Sequence, residues 1–455
     1  MTSSTVLCGY GGWLPKHPAI YKAFIDHLVQ RALRRSADST LHEPAVAAFG
    51  EAIQGDPVMK SLFDQVFLQV DRRNQVTDFE HLLSFLDCII VTAPKYEVAI
   101  DDNGNVIGEP IGVPIYLIFD LLSNTAAAYD LFRMKEFNRA LKALLENWGK
   151  FLMEPGSNLT LNTTDQGWFG EAGITSLETH LGKYSFEQTY KCPDAAADNR
   201  GFTTWDAFFT RAFHDGVRPI VTIDNHPVTY PGGLHTRAVV EPTLIYSACE
   251  STVLRIRRDV KQHDQFWLKG QQYSLYNMLN RSDYYAKLFE GGTVYQAFLS
   301  PLDYHRWHSP IKGTVTDIVV VDGTYYAVLP DAGADKGDPD LPEGDPHGAL
   351  IRSQPFLTIE AARVLIYIKS EDINIGTMCF VGVGMAEVST CQVTVKKGQA
   401  VEPGTELGMF HFGGSSHALV FSKETEFHEG DEIKEGKHVW VNSVIGVATH
   451  KQNSE

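Results

Sequence analysis

Two features of this 455-residue chain can do covalent chemistry. The first is the peptide bond between Gly414 and Ser415, in Phe410-His-Phe-Gly-Gly-Ser-Ser-His417. A serine hydroxyl that adds to the carbonyl carbon before it converts the amide to an ester. Elimination of that ester leaves dehydroalanine, which hydrolyses to a pyruvoyl group. Glycine suits the upstream position because it tolerates unusual backbone angles and leaves room for attack. The hydroxyl is a poor nucleophile near neutral pH and needs a base. Gly-Gly-Ser-Ser is also the composition of a flexible linker. Here it follows the turn signals Lys397-Gly398 and Pro403-Gly404 and precedes the apolar Ala418-Leu-Val-Phe421, a setting inside a folded domain.

The second feature is the histidine pair His305 and His308, in Leu299-Ser-Pro-Leu-Asp-Tyr-His-Arg-Trp-His-Ser-Pro310. An imidazole titrates near neutrality and can take or give a proton there. The same i, i+3 pair reads equally as a structural pair or as two zinc ligands. With no clear third ligand in the sequence, no metal is expected.

At these residues the chain resembles the phosphatidylserine decarboxylase family. Asp303-Tyr-His-Arg-Trp-His308 with Pro310 is similar to the family's D-Y-H-R-x-H-x-P signature, and Gly414-Ser415-Ser416 to its processing site. Three further stretches match in order: Phe202 to Pro219, with Trp205 replacing a phenylalanine; Lys269 to Leu275; and Val381 to Thr390. The resemblance implies that Ser415 is the precursor of a pyruvoyl cofactor after cleavage at Gly414–Ser415. It implies that His308 activates Ser415, and that His305 is the acid-base group of decarboxylation. The pyruvoyl group forms a Schiff base with a substrate amine and accepts electrons as carbon dioxide leaves, so no pyridoxal phosphate is expected. The large and small chains made by cleavage are expected to stay associated. The family orients its activating histidine with an aspartate in an S-P-A-D-G-like strand. Here Tyr246-Ser-Ala-Cys-Glu-Ser251 matches, so Glu250 takes that place, a departure in side-chain length and in the missing glycine. Trp307, Ser416 and His417, beside these residues, are candidates to touch substrate.

The family offers two substrate classes. Classical members decarboxylate phosphatidylserine to phosphatidylethanolamine. A soluble fungal branch, the L-tryptophan decarboxylases of the psilocybin-pathway type, acts on a free amino acid. Gly12-Trp-Leu14, the helical region up to Trp148 and Gly408 to Ser416 resemble that branch. L-tryptophan to tryptamine is therefore the expected reaction, with phosphatidylserine the alternative. A non-catalytic relative that binds amine or lipid is the reading from another class.

The elements that must position these residues are of two kinds. Phe79, Leu82, Leu83, Leu86 and Ile89 recur at helical spacing, with Pro94 beyond, and Phe137, Leu141, Leu144, Leu145, Trp148 and Leu152 form a second stripe. Beyond about Arg237 short β-branched runs take over, such as Gly313 to Val321 ahead of the turn Asp322-Gly323, and Cys391 to Val395. The fold class is α+β: an N-terminal segment (1–40), a helical domain (41–155) and a mostly antiparallel β catalytic domain (156–455), with the Gly- and Asn-bearing stretch 149–173 as boundary region. Asp331 to Gly348, rich in Asp, Gly and Pro, lacks calcium-loop spacing and reads as a solvated excursion or lid. Thirty-nine Lys+Arg against 56 Asp+Glu give a formal net charge of -17, which argues against nucleic acid and anionic membranes as partners. The six scattered cysteines contain no CxxC pair. No targeting segment is evident at the N-terminus, and a cytoplasmic location is expected.

Overall fold

A computed structural model describes residues 9–38, 41–221, 243–263, 274–387, 390–412 and 415–450. Arg237, residues 269–273, Cys8, Gly413 and Gly414 lie outside the described residues. The chain divides into two compact units. One comprises Met1–Arg211, Thr324–Gln354 and Phe412–Gly414; the other comprises Ala212–Gly323, Pro355–His411 and Ser415–Glu455.

The first unit is helical: α1 (Pro18–Asp38), α2 (Pro44–Gly55), α3 (Pro57–Gln69), α4 (Phe79–Ile89), α5 (Pro114–Ser123), α6 (Ala126–Leu131) and α7 (Lys135–Leu152), with a hairpin of β1 (Lys95–Ile100) and β2 (Val106–Ile111). Proline opens α2, α3 and α5, where its missing N–H costs nothing. Asp56 and Asp78 cap α3 and α4 through their carboxylates. The two apolar stripes read from the sequence are α4 and α7, and α7 buries Phe137, Leu141, Leu144, Leu145, Trp148 and Leu152. The apolar run Val113 to Leu122 is α5, buried along its length; its Asp120 accepts from Tyr116 Oη at 2.9 Å and Gly348 N at 3.0 Å. No helix among the described residues is long and apolar enough to cross a membrane.

The acidic stretch 331–348 is bound down within this unit. Tyr10 donates its hydroxyl to Asp338 at 2.6 Å and its backbone N–H to Asp340 at 2.8 Å, while Arg352 grips Asp331 at 2.7 and 2.8 Å. These contacts replace the free excursion expected from composition. Of the carboxylates in this stretch, Asp331, Asp338, Asp340 and Asp345 have cationic or hydrogen-bonding partners of their own.

The second unit is built on strands β3 (Thr243–Tyr246), β4 (Ser251–Arg257), β5 (Thr293–Leu299), β6 (Arg306–His308), β7 (Gly313–Val321), β8 (Arg363–Lys369), β9 (Thr377–Gly384), β10 (Thr390–Val393), β11 (Ala400–Val401), β12 (Glu406–His411), β13 (Ser415–Phe421), β14 (Thr425–Glu429), β15 (His438–Val439) and β16 (Val444–His450). Eight form one sheet in the order β11-β7-β8-β9-β13-β5-β4-β15; β10-β12-β6 and β14-β16-β3 form two smaller sheets. All pairings are antiparallel. The core lies on one side of the large sheet and includes Tyr295, Leu299, Val364, Ile366, Phe380, Leu419 and Phe421, with Trp307 and Phe410 from the smaller sheet.

Within the first unit, Gly149 of α7 is a close-approach glycine. A Cβ there lies 2.4 Å from the ring of Phe412, so only a hydrogen lets the ring seat. Phe412 itself has φ of 67°, a left-handed conformation that is costly for a side chain with a Cβ. Gly149→Ala is expected to lower stability by about 1–3 kcal/mol through overpacking, despite alanine's better helix propensity. Urea unfolding of the full chain checks it; an unchanged midpoint contradicts the seating of the ring.

Candidate active site

β13 is a central strand. Ser415 pairs with Leu299 of β5 on one side and Gly384 of β9 on the other, and the ladder continues on both sides to Phe421. Side chains alternate along a strand, so Ser415, His417, Leu419 and Phe421 share the core face and Ser416 points away. Ser415 is fully buried and its Oγ has no hydrogen-bond partner among the described residues. Ser416 is engaged on the opposite face, donating to the Ala297 carbonyl at 3.2 Å and accepting from Gln296 at 3.3 Å.

The histidine segment follows directly from β5. Leu299 stands opposite Ser415, a turn runs from Ser300 to Asp303, and β6 then pairs with β12, the strand that leads toward the Gly414–Ser415 bond. Two segments about a hundred positions apart in the chain thus run side by side. Asp303 shapes the turn by accepting from Ser300 N at 2.8 Å, and its other oxygen meets His438 Nε2 at 3.3 Å. His305 is fully buried, and its carbonyl accepts from Phe410 N at 2.9 Å.

His308 has both ring nitrogens engaged. Nδ1 lies 2.8 Å from the Gly404 carbonyl, which can only accept, so Nδ1 carries the proton. Nε2 is then the basic nitrogen and accepts from the Tyr304 hydroxyl at 3.0 Å. Burial pushes the His308 pKa below its ordinary value. Tyr304, whose ring stacks on Phe213 at 3.9 Å, therefore stands at the proton-accepting atom. The tyrosine of Asp303-Tyr-His-Arg306, four residues before His308, was the available signal for it, since a phenol can relay a proton to an imidazole.

Glu250 does not orient His308. It is buried against Arg218, whose Nη2 donates to Oε1 at 2.6 Å, and Oε2 accepts from Val441 N at 2.7 Å. The guanidinium lies 4.3 Å over the Trp440 ring. A buried guanidinium is stabilised by a carboxylate partner, and Glu250 supplies one. The signal was Arg218 in Gly216-Val-Arg-Pro219, a motif arginine without an assigned partner. Trp307, a candidate substrate contact, is fully buried. Its ring packs between Phe380 at 5.3 Å and Phe410 at 4.8 Å, on the face of β6 opposite His308, and it is core.

His417 keeps company with Ser415. It is fully buried two residues along on the same face, flanked across the ladder by Ala297 and Gly382. Its ring lies 6.0 Å from Phe380 and 6.1 Å from Tyr295, and desolvation pushes its pKa down to about 3.

Comparison with known proteins decides the family. The family described as phosphatidylserine decarboxylase matches residues 205–447, and a second phosphatidylserine decarboxylase description matches residues 43–177. The chain is 48% identical over 360 residues to decarboxylase iboD of Amanita muscaria, covering 79% of this chain and 98% of that protein. It is 34% identical over 448 residues to an L-tryptophan decarboxylase of Psilocybe cubensis, covering 95% of this chain and 93% of that protein. Against phosphatidylserine decarboxylase proenzyme 3 of Schizosaccharomyces pombe it is 30% identical over 237 residues, 52% of this chain and 21% of that one.

The chain belongs to the phosphatidylserine decarboxylase family. As a member it is a carboxy-lyase, and the family works through a pyruvoyl group made by self-processing. The site fits that group. A pyruvoyl precursor needs a serine whose hydroxyl is available rather than spent on a neighbour, and Ser415 Oγ is such an atom, shielded from bulk water.

The Arg218–Glu250 pair yields a direct test. Glu250→Gln leaves a buried guanidinium uncompensated and is expected to cost about 3–5 kcal/mol. Arg218→Met should destabilise comparably, and the double variant Arg218→Met/Glu250→Met should lose less than the sum. Additive losses in urea unfolding contradict the pairing.

Proposed function

We propose that this enzyme cuts itself between Gly414 and Ser415 and then decarboxylates a free amino acid, L-tryptophan first among the candidates. The observation that carries the processing step is Ser415 itself: a buried hydroxyl with no hydrogen-bond partner among the described residues, at the head of a central strand, opposite the residue that leads into the histidine segment.

In the proposed sequence Ser415 Oγ adds to the Gly414 carbonyl carbon. The Gly414–Ser415 C–N bond breaks, an ester forms, and the hydroxyl proton passes to the freed amine. Neutral His308, acting at Nε2 through the Tyr304 hydroxyl, supplies the base. Removal of the Ser415 Cα proton expels the Gly414 carboxylate. The remaining enamine takes up one water and releases one ammonia, leaving the ketoacyl terminus. That group, once present, accepts the electron pair freed as carbon dioxide departs. His305, buried beside the strand pair that leads to Ser415, donates the proton that replaces the carboxylate. The helical portion (41–155) and the catalytic portion (156–455) are proposed as the working domains; the family matches at 43–177 and 205–447 support two such parts.

For substrate, a free amino acid is supported by similarity to an L-tryptophan decarboxylase along 95% of the chain. Higher identity to decarboxylase iboD, whose name gives no substrate, supports a second reading in which the substrate is not tryptophan. Carbon dioxide release from L-tryptophan, from a panel of other free L-amino acids and from phosphatidylserine vesicles separates the three. Turnover on vesicles alone refutes the amino-acid reading.

Processing is checked by denaturing gel and intact mass. Wild type should give a small chain beginning at position 415, lighter than a serine-started chain by one ammonia. Ser415→Ala should stay whole and inactive. His308→Ala should block cutting, whereas His305→Ala should be cut yet turn over at least a hundredfold slower, within the usual range for a lost acid-base group. Reversed phenotypes overturn the roles. Since burial lowers the His308 pKa, its neutral form persists below the ordinary value of about 6.5. The cutting rate should therefore rise with pH and level off on the acid side of that value; a rate still climbing above neutrality contradicts His308 as base.

A further inference from the structure

The core beneath β13 holds more unpaired polar atoms than its apolar character explains. Besides Ser415 Oγ, both nitrogens of His417, Tyr295 Oη and Trp307 Nε1 lack a hydrogen-bond partner among the described residues, and all four side chains are fully buried. They belong to one neighbourhood. Ser415 and His417 share a strand face, the Tyr295 ring is 6.1 Å from His417, and Phe380 contacts both the His417 and Trp307 rings. An imidazole buried with neither nitrogen paired costs stability that a leucine of similar size would not. Packing alone therefore gives no reason for a histidine at 417.

We infer that His417 is a positioning residue for the self-cleavage of Ser415: its neutral imidazole accepts from one bridging water whose other hydrogen is donated to Ser415 Oγ, which leaves the hydroxyl proton free for the base and sets the direction of the attacking lone pair. This rests on Ser415 being the processed residue. The spacing suits it. Side chains at i and i+2 on a strand are about 6.5–7 Å apart at Cα, a gap that one water spans between a short hydroxyl and an imidazole, and a water needs polar partners of this kind to be held in a core. Ala297 and Gly382, the residues across the ladder from His417, are small and leave the ring its place. With its pKa pushed down by desolvation the ring stays uncharged across the working range, so it serves as a fixed acceptor and leaves proton removal to another group.

The test compares wild type, His417→Leu and His417→Gln as full-length chains, following the rate of cutting on denaturing gels together with the thermal midpoint. His417→Leu should keep or raise the midpoint and cut at least tenfold more slowly. His417→Gln, which restores a neutral acceptor, should recover most of the rate with the wild-type pH profile. Wild-type cutting in His417→Leu overturns the inference, as does slow cutting that merely tracks a lowered midpoint, or a glutamine variant no faster than the leucine one. An uncut wild type refutes the processing reading itself and this inference with it, whereas a cut wild type beside a normal leucine variant refutes only the inference.

Discussion

The hydrogen-bond ladder of β13 fixes where everything else in the site must be. From Ser415 to Phe421 the strand is paired on both sides, and a central strand cannot slide by one residue without turning its buried face outward. The serine hydroxyl is thus set by seven residues of register on each side. Within the helical unit, Phe412 holds a left-handed backbone conformation that costs a non-glycine residue about 1–3 kcal/mol, with its ring seated on Gly149. On the proposed reading, a hydroxyl fixed by the ladder is what an intramolecular acyl shift requires, because proximity and orientation replace an encounter between separate molecules.

The histidines of this region acquire distinct chemistry from their surroundings. His308 has its tautomer dictated by a carbonyl acceptor at Gly404 and its basic nitrogen aimed at a phenol. His417 has lost water without gaining a protein partner among the described residues, so its neutral form is enforced by desolvation alone. The carboxylates follow the same logic. Asp303 ties the turn ahead of His305 to His438, and Glu250 neutralises Arg218. A carboxylate near a histidine in sequence alignment is therefore no guide to which cation it serves; the nearest buried positive charge claims it.

Much of this was legible from local patterns. The stripes of α4 and α7 and the β-branched run of β7 follow from periodicity. What stayed hidden depends on distant partners. Nothing local to Asp331 announces that Tyr10 and Arg352 hold that stretch down, and nothing local to Glu250 announces Arg218. Trp307 is instructive because its alternation was available: with His308 turned to one side of β6, the neighbouring tryptophan had to face the other, into the core. Alternation places the strand neighbour of His308 on the opposite face by default.

The same geometry bears on how one reaction serves chemically different substrates. On the proposed mechanism, an electron sink at residue 415 and a proton donor at His305 would engage only the amine, the departing carboxylate and the carbon between them. Those groups are common to a free amino acid and a serine headgroup, so neither can discriminate between them. Discrimination needs contacts to what lies beyond the α-carbon, where a buried indole is worth several kcal/mol and a diacylglycerol tail asks for an apolar surface instead. Ser416 is bonded to Ala297 on the far side of β13 and Trp307 packs in the core. On the proposed mechanism, selectivity comes from contacts beyond the groups that react. That accords with similarity to an L-tryptophan decarboxylase along nearly the whole chain, where similarity to a phosphatidylserine decarboxylase proenzyme covers about half of it.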